Sequence, residues 1–579
     1  MHGAGKPQTA EGDEGGTVYT QDFNPVSDSL GLTAIFAVLP IVTLFVLLGG
    51  LKLKAQWAAL IALAVAMAVA MIVYGMPVDQ TGLSALEGAT FGLFPIMWIV
   101  IAALWLYNMT VETGHFAVLR RSFGRISEDQ RVQAVIIAFC FGALLEALAG
   151  FGTPVAITSV MLIALGFRPV KAASIALVAN TAPVAFGAIA IPITTLSEIT
   201  GLDKGDLGAM VGRQTPFLAL IVPLILIAMV DGRRGIRQAW PVGVVGGLTF
   251  ALGQFACSNY ISVELTDIVA SLLATASIVA FLRLWTPGEP LLAEDTGPTS
   301  RFQRPAAAGA SVHDPAMERE ITRRDDTKKD PPVEVLRAYA PYLILIAVLS
   351  IAQIGAVKDA LAKSPWTTTF QWPGLDVRTP DGEAVSSLTY NVNWLPAAGT
   401  LVLISGLITM VALGVTPGRA LRVFAATLDQ LKWAILTVAS VLALAYVMNQ
   451  SGQTITLGLW AAGAGSFFAF LSPMIGWLGV SVTGSDTSSN ALFGGLQVAA
   501  AKDAGISQNL LAAANSSGGV LGKMISPQNL AIGAAAVGMA GDEGDLFRKV
   551  VGWSIVLMLV MCALVYLQST AVLDWMVVK

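Results

Sequence analysis

Apolar runs close to twenty residues long recur at 32–50, 56–75, 93–110, 172–193, 215–230, 239–257, 265–283, 338–354, 395–413, 433–449, 507–538 and 550–569. A helix rising about 1.5 Å per residue needs roughly 20 apolar residues to cross a hydrocarbon layer of about 30 Å. The pattern therefore predicts about twelve transmembrane helices, some with breaks inside. Two more apolar stretches, 131–166 and 466–501, do not divide into clean crossings.

The loops between runs sort by charge. Lys52 and Lys54, then Arg120, Arg121, Arg125 and Arg131, then Arg168 and Lys171, and Arg233, Arg234 and Arg237 make basic loops. So do the 284–337 segment and the loop with Arg419, Arg422 and Lys432. Alternate loops are acidic or neutral, with Asp79 and Glu87, Glu198, Asp203 and Asp206, or Glu264 and Asp267. Basic loops stay cytoplasmic, which places the N-terminus outside. Residues 1–25 are polar and lack a basic n-region, so no cleavable signal peptide is expected.

The resulting organisation is an external tail (1–30), a first membrane half (31–285), a cytoplasmic linker (286–335) and a second membrane half (336–579). The linker is rich in Pro, Asp, Lys and Arg and reads as flexible. The second half includes an external loop at 355–392, with Trp366 and Trp372.

Arg131 precedes the 131–166 stretch and Arg168 and Lys171 follow it, so both ends fall on the cytoplasmic side. Its second arm, Pro154 to Gly166, is about 20 Å long as helix, too short to span. Between the arms lies Gly150-Phe151-Gly152-Thr153-Pro154, which a continuous helix tolerates poorly. A re-entrant helical hairpin follows, its tip buried in protein or lining a cavity.

The second half repeats this arrangement at an offset of 335 residues. Asn180 matches Asn515, Gly187 matches Gly522, Pro192 matches Pro527 and Trp98 matches Trp433. The same offset sets the first tip against Thr483-Gly484-Ser485-Asp486-Thr487-Ser488-Ser489-Asn490, the tip of hairpin 466–501. The loop before Trp98 is acidic and the one before Trp433 basic, so the halves are inverted repeats, as in alternating-access carriers.

Composition agrees. Of 579 residues 55% are hydrophobic and 12% charged, with a mean hydropathy of +0.70, where soluble chains carry about 25% charge. A net charge of -4 argues against a nucleic-acid partner. Three cysteines in separate apolar runs and three histidines offer no metal cluster, and no catalytic constellation is present, so neither an enzyme nor a cofactor is expected.

Ionisable groups inside the membrane cost about 2.5–3.5 kcal/mol or more, so each is a functional candidate. Glu146 lies one turn before the first tip, Asp486 sits in the second, and Lys523 falls between Gly522 and Pro527. A carboxyl in a low-dielectric site holds its proton more tightly than in water, so Glu146 and Asp486 are candidates for proton coupling. An anion would find positive charge at Lys523 and at half-helix N-termini, with Gly150, Gly152 and Gly484 letting it approach the backbone. Ser485, Thr487, Ser488, Ser489 and Asn490, with Thr153, Asn180, Thr181, Asn515, Ser516 and Ser517, supply hydrogen-bonding groups for a 2-hydroxy acid. The competing reading is that these Ser and Thr residues only bridge helices, and that Glu146 and Lys523 form a structural ion pair.

Several runs carry a family likeness. They are Phe139-Cys140-Phe141-Gly142 through Glu146 to Gly150-Phe151-Gly152, Pro154-Val155-Ala156-Ile157, Asn180 through Gly187, and Met210 through Gln214. Gly476-Trp477-Leu478-Gly479, Thr483 through Phe493, Gly522 through Gln528 and Asp545-Leu546-Phe547-Arg548 complete the set. Over nearly its whole length the chain resembles the L-lactate permease family. The resemblance implies proton-coupled uptake of L-lactate, with D-lactate and glycolate as companions, in a bacterial inner membrane. It also implies a distant likeness to inverted-repeat, hairpin-containing ion transporters. Departures include Leu148, bulky enough to narrow the pocket.

The expected fold is an all-α polytopic membrane protein of elevator type, with about twelve transmembrane helices and two re-entrant hairpins in inverted repeats. Its partners are a small monocarboxylate, protons and the lipid bilayer, with homo-oligomerisation left open. A sodium-coupled carrier of another small carboxylate is the alternative, because Asn-Thr and Asn-Ser pairs at helix breaks also suit sodium. A passive channel would instead need a continuous water path.

Overall fold

The computed structural model describes residues 17–292 and 330–578, apart from 48–50, 52, 125, 149, 151, 353, 386–387 and 540–542. The described residues are mostly helical. Among the described residues eight helices are long and apolar enough to cross a membrane, or nine with the bent pair Pro169–Ala179 and Val184–Thr200. The sequence predicted about twelve. Two expected crossings are fused in Thr215–Tyr260, whose 46 residues leave helical geometry at Asp231 and Gly232. Thr266–Leu282 and Ala398–Ala412 are apolar but only 17 and 15 residues long.

The helices pack as two bundles, each drawing on both halves of the sequence. Ala55–Ile72, Val78–Phe91, Trp98–Glu112, Pro332–Ala352, Ala398–Ala412 and Pro417–Ser451 pack on one another. The second bundle joins the 130–282 helices to those from Gln453 to Gln568. Contacts between the bundles include those of Trp98–Glu112 with Gly142–Leu148 and Gly187–Thr200, and those of Pro417–Ser451 with Gln453–Ala462 and Asp486–Ala504.

Each of the two stretches expected as hairpins forms two helices with a break between them. The first has a 19-residue arm, Gln130–Leu148, buried in the protein from Arg131 onward, then Thr153–Ala164. The second has Gly465–Thr483, also 19 residues, then Asp486–Ala504. The two first arms start and end 335 residues apart, the offset read from the sequence. Each tip turns on glycines in the left-handed region, Gly150 (φ 56°) and Gly152 (φ 79°) in one and Gly484 (φ 75°) in the other. A side chain there would strain the backbone, which is why the tips carry glycine.

Three groups of charges are not where loop-counting puts them. Arg131, expected at a cytoplasmic loop edge, is fully buried. Its guanidinium pairs with Asp129 at 2.7 Å and Asp231 at 3.1 Å, pinning the start of the first hairpin to the kink in Thr215–Tyr260. Glu87 is buried within Val78–Phe91 and accepts from Gln450 Nε2 at 2.7 Å, leaving its Oε1 without a partner. Glu264 and Asp267 are buried as well. Acidic residues near helix ends look like loop residues to a charge count, but here packing covers them.

Of the expected tail, residues 1–16 lie outside the described residues, and the remainder is folded. Tyr19–Thr20 pairs in parallel with Val377–Arg378 from the 355–392 loop. Tyr19 Oη donates to the Ser451 carbonyl at 2.9 Å, and Gln21 Nε2 to those of Asn449 and Gln450 at 2.9 Å. In the same loop Thr368–Gln371 forms an antiparallel pair with Thr389–Val392. Most of the 286–335 linker lies outside the described residues. At its start the Glu289 carbonyl accepts from Arg131 Nη2 at 2.6 Å.

Candidate functional site

The sequence breaks two helices at equivalent points, and the structure gathers the buried charges there. In the first half Pro169–Ala179 gives way to a turn and then to Val184–Thr200, at a bend of 66°. Ala188, Ile189 and Ala190 all take left-handed geometry, at φ 44°, 61° and 56°. Such residues cost about 1–2 kcal/mol each, and strain of this kind persists where a site requires the backbone shape. In the second half Gln508–Gly522 passes through a short 3-10 turn, Lys523–Ile525, into Pro527–Ala536.

Lys523 and Glu146 meet at 2.5 Å, both buried. The pair joins the second break to the first hairpin, 377 residues away in sequence. Gly187 makes room for it, because a Cβ there would stand 2.9 Å from Glu146 Oε1. The other oxygen, Oε2, has no hydrogen-bond partner. Removing one member of a buried pair typically costs about 3–5 kcal/mol, since the survivor stays charged and uncompensated.

Asp486 opens the second arm and accepts from Ser516 Oγ at 2.5 Å. Its Oδ1 is buried without a partner and points at Gly519, where a Cβ would come within 2.3 Å. Asp486 interacts electrostatically with both Lys523 and Glu146, so the three charges form one cluster.

The two tips converge on consecutive residues. A Cβ on Gly152 would reach Asn529 Oδ1 at 3.2 Å and Ile532, and one on Gly484 would reach Gln528 Oε1 at 2.5 Å. Gly150 lies 3.8 Å from Glu146 Oε1 by the same measure. Thr153 and Thr487 are half-buried in the first turns of the second arms.

Not every candidate is open to a ligand. Asn515 Nδ2 donates to Asn490 Oδ1 at 2.9 Å, and Asn490 Nδ2 donates to the Pro192 carbonyl at 3.0 Å. Gln497 Nε2 donates to Asn515 Oδ1 at 3.2 Å. These asparagines tie the second hairpin to the first break. Ser489 Oγ donates to the Gly476 carbonyl at 3.3 Å, Thr181 Oγ1 to that of Val178 at 2.7 Å, and Ser485 caps its helix by accepting from Ser488 N at 3.2 Å. By contrast Asn180, through both amide atoms, and Ser517 Oγ are buried without partners. Leaving such a group unpaired costs about 1–3 kcal/mol, so each awaits a partner.

Reading the sequence missed Asn529, whose Nδ2 donates to the Lys523 carbonyl at 3.0 Å and fixes the second break, and Ser159, buried with a free hydroxyl. An asparagine just past a break-ending proline was the available signal for Asn529. Leu148 lines a small apolar pocket with Tyr107, Ile189 and Tyr342, between the bundles. That cavity is near the charge cluster in sequence but has no charged lining, and the chemistry resides in the cluster.

The family model described as L-lactate permease matches residues 33–572. An L-lactate permease of Salmonella typhimurium is 42% identical over 570 residues, 97% of this chain and 100% of the relative. Glycolate permease GlcA of Escherichia coli is 41% identical over 564 residues, 95% and 98% of the two chains. An L-lactate permease of Bacillus subtilis is 40% identical over 582 residues, 96% and 100%. Two solved structures are alike only loosely. The Alcanivorax borkumensis YdaH transporter has a TM-score of 0.42 at 14% identity, over 85% of this chain and 86% of that one. Neisseria gonorrhoeae MtrF has 0.43 at 14%, over 84% and 83%.

Proposed function

This chain belongs to the L-lactate permease family, and from that premise we propose that it carries L-lactate together with protons across a bacterial inner membrane, with glycolate and D-lactate as further cargo. The observation that carries the reading is the buried Glu146–Lys523 pair beside Asp486, with one oxygen of each carboxylate unpartnered. In the resting pair the Lys523 charge is neutralised by Glu146. A proton on Glu146 removes that partner and leaves an ammonium in low dielectric, which is unfavourable until another anion arrives. The lactate carboxylate supplies it. Proton and anion then favour each other's binding by the same factor, and a neutral pair moves.

The N-terminus of Thr153–Ala164 carries no acidic residue in its first turn, whereas that of Asp486–Ala504 begins with Asp486. The lactate carboxylate therefore lies between Lys523 and the first tip, at Gly150, Gly152 and Thr153. Asn180 and Ser517 are left for the 2-hydroxyl, and Asp486 is the second proton-binding group. In this reading the hairpins are re-entrant, the fused and short helices count as further crossings toward the expected twelve, and the bundle carrying the tips slides against the other in elevator fashion. Support for that motion is the division of the helices into two bundles.

Uptake of labelled L-lactate into proteoliposomes tests the reading. An inward pH gradient should raise uptake at least tenfold, and D-lactate and glycolate should compete, with or without sodium. Uptake that needs sodium and ignores pH would defeat the proton reading.

A further inference from the structure

Asp267 opens the helix Thr266–Leu282 and is 1% exposed. Its Oδ1 accepts from Gln254 Nε2 at 2.8 Å, and its Oδ2 has no partner. The same Gln254 nitrogen is 3.4 Å from the Ala182 carbonyl, in the turn of the first helix break. Gln254 Oε1 accepts from Thr215 Oγ1 at 3.1 Å, which holds the amide in that orientation. Two residues before Ala182 stands Asn180, both of whose amide atoms lack partners. Thr266–Leu282 packs on Gly142–Leu148, the segment that carries Glu146, and the two carboxyls interact electrostatically.

Among the described residues the surroundings of Asp267 offer no compensating cation. From Thr215–Tyr260 it faces Cys257, and from Gly142–Leu148 it faces Glu146. Cys140 on Ala134–Phe141 faces Thr275, two turns further along. In the preceding loop Glu264 is paired with Lys204, and Lys523 is paired with Glu146. A buried carboxyl with an unpartnered oxygen, beside the strained break and a second carboxyl, is a functional candidate in a membrane protein.

We propose that Asp267 is a proton-coupling carboxyl that exchanges its proton with Glu146 across the first helix break. One O–H bond breaks at Asp267 as one forms at Glu146. Asp267 becomes the anion and is reprotonated from solution, while Lys523 is released for the lactate carboxylate. The proton thus reaches the pair from the side of Thr266–Leu282 and the cargo from the tips. The inference rests on the proton-coupled reading above, and its test separates the two.

In proteoliposomes, wild type, Asp267→Asn and Asp267→Glu are compared by pH-driven L-lactate uptake, lactate-driven proton movement, and lactate–lactate counterflow at equal pH. Counterflow requires no net proton release. Asp267→Asn should lower pH-driven uptake and proton movement at least tenfold and flatten the pH profile, with counterflow reduced less than threefold. Asp267→Glu should restore at least a third of the pH-driven rate. Wild-type proton movement in Asp267→Asn overturns the proposal alone. Equal loss of all three rates without rescue by Glu makes Asp267 structural and also overturns it. A wild-type protein that moves lactate without protons overturns the coupled reading itself.

Discussion

The two helix breaks stand at equivalent places in the repeat but differ in backbone and in side chains, the first bending by 66° through three left-handed residues and the second passing through a short 3-10 turn. Both follow an asparagine, both end at a proline and each faces a hairpin tip turned on left-handed glycine. At the offset of 335, however, Lys523 falls opposite Ala188, Gly519 opposite Val184, and Ser481 opposite Glu146. The first half thus contributes a carboxylate and no cation, and the second contributes the cation that neutralises it. The repeat duplicates the position of the break, while the Glu146–Lys523 pair forms only when the halves come together. The first half alone would bury Glu146 without the cation it pairs with.

That comparison is sharpest at Lys523. Lys523→Met should reduce L-lactate uptake at least a hundredfold and destabilise the protein by about 3–5 kcal/mol, the cost of stranding Glu146. Adding Glu146→Met should recover most of the stability, measured by unfolding in detergent, and none of the uptake. A single variant as stable as wild type would mean that the pair is not buried as described.

Gly519 and Val184 stand at equivalent places, and Gly519 faces the Asp486 carboxylate. Gly519→Ala should lower uptake at least tenfold by displacing Asp486, while Val184→Ala should cost stability of about 1 kcal/mol and less than threefold in rate. Equal effects would remove the asymmetry between the breaks. Asp486→Asn should likewise lower pH-driven uptake at least tenfold in a folded protein, and wild-type uptake would return Asp486 to a structural role.

The smallest effect is outside the membrane-spanning segments. Burial pushes the Glu264 carboxyl up, but the Lys204 ammonium and Ser262 outweigh it and hold it at about 2. A lowered folded-state value means stability that is present above the unfolded carboxylate range and lost as pH falls toward about 2. Thermal unfolding of Glu264→Gln should therefore differ from wild type by a few degrees near neutrality and converge with it in acid. A difference that grows in acid would contradict the pairing.

Much of this was legible in the chain. Glycine, proline and clustered Ser, Thr and Asn interrupt otherwise apolar runs, which locates both tips and both breaks, and the offset relates them. Glu146, Asp486 and Lys523 stand out because charge is rare in such runs. Their mutual contacts were not legible, since partners 377 residues apart leave no local pattern. Glu87 and Asp267 were hidden for a different reason. They lie near helix ends, where an acidic residue looks solvated until packing is known. Asn490 and Asn515 looked like ligands because buried amides suit both binding and bridging, and only their partners distinguish the two.

The central claim is that protonation of Glu146 releases Lys523 to the organic anion. The most direct measurement is lactate-driven proton movement in proteoliposomes carrying Glu146→Gln, followed with an internal pH-sensitive dye beside lactate counterflow. Wild type should acidify the lumen as lactate enters, whereas Glu146→Gln should still exchange lactate and move at least tenfold fewer protons. Proton movement at the wild-type rate in that variant would contradict the account.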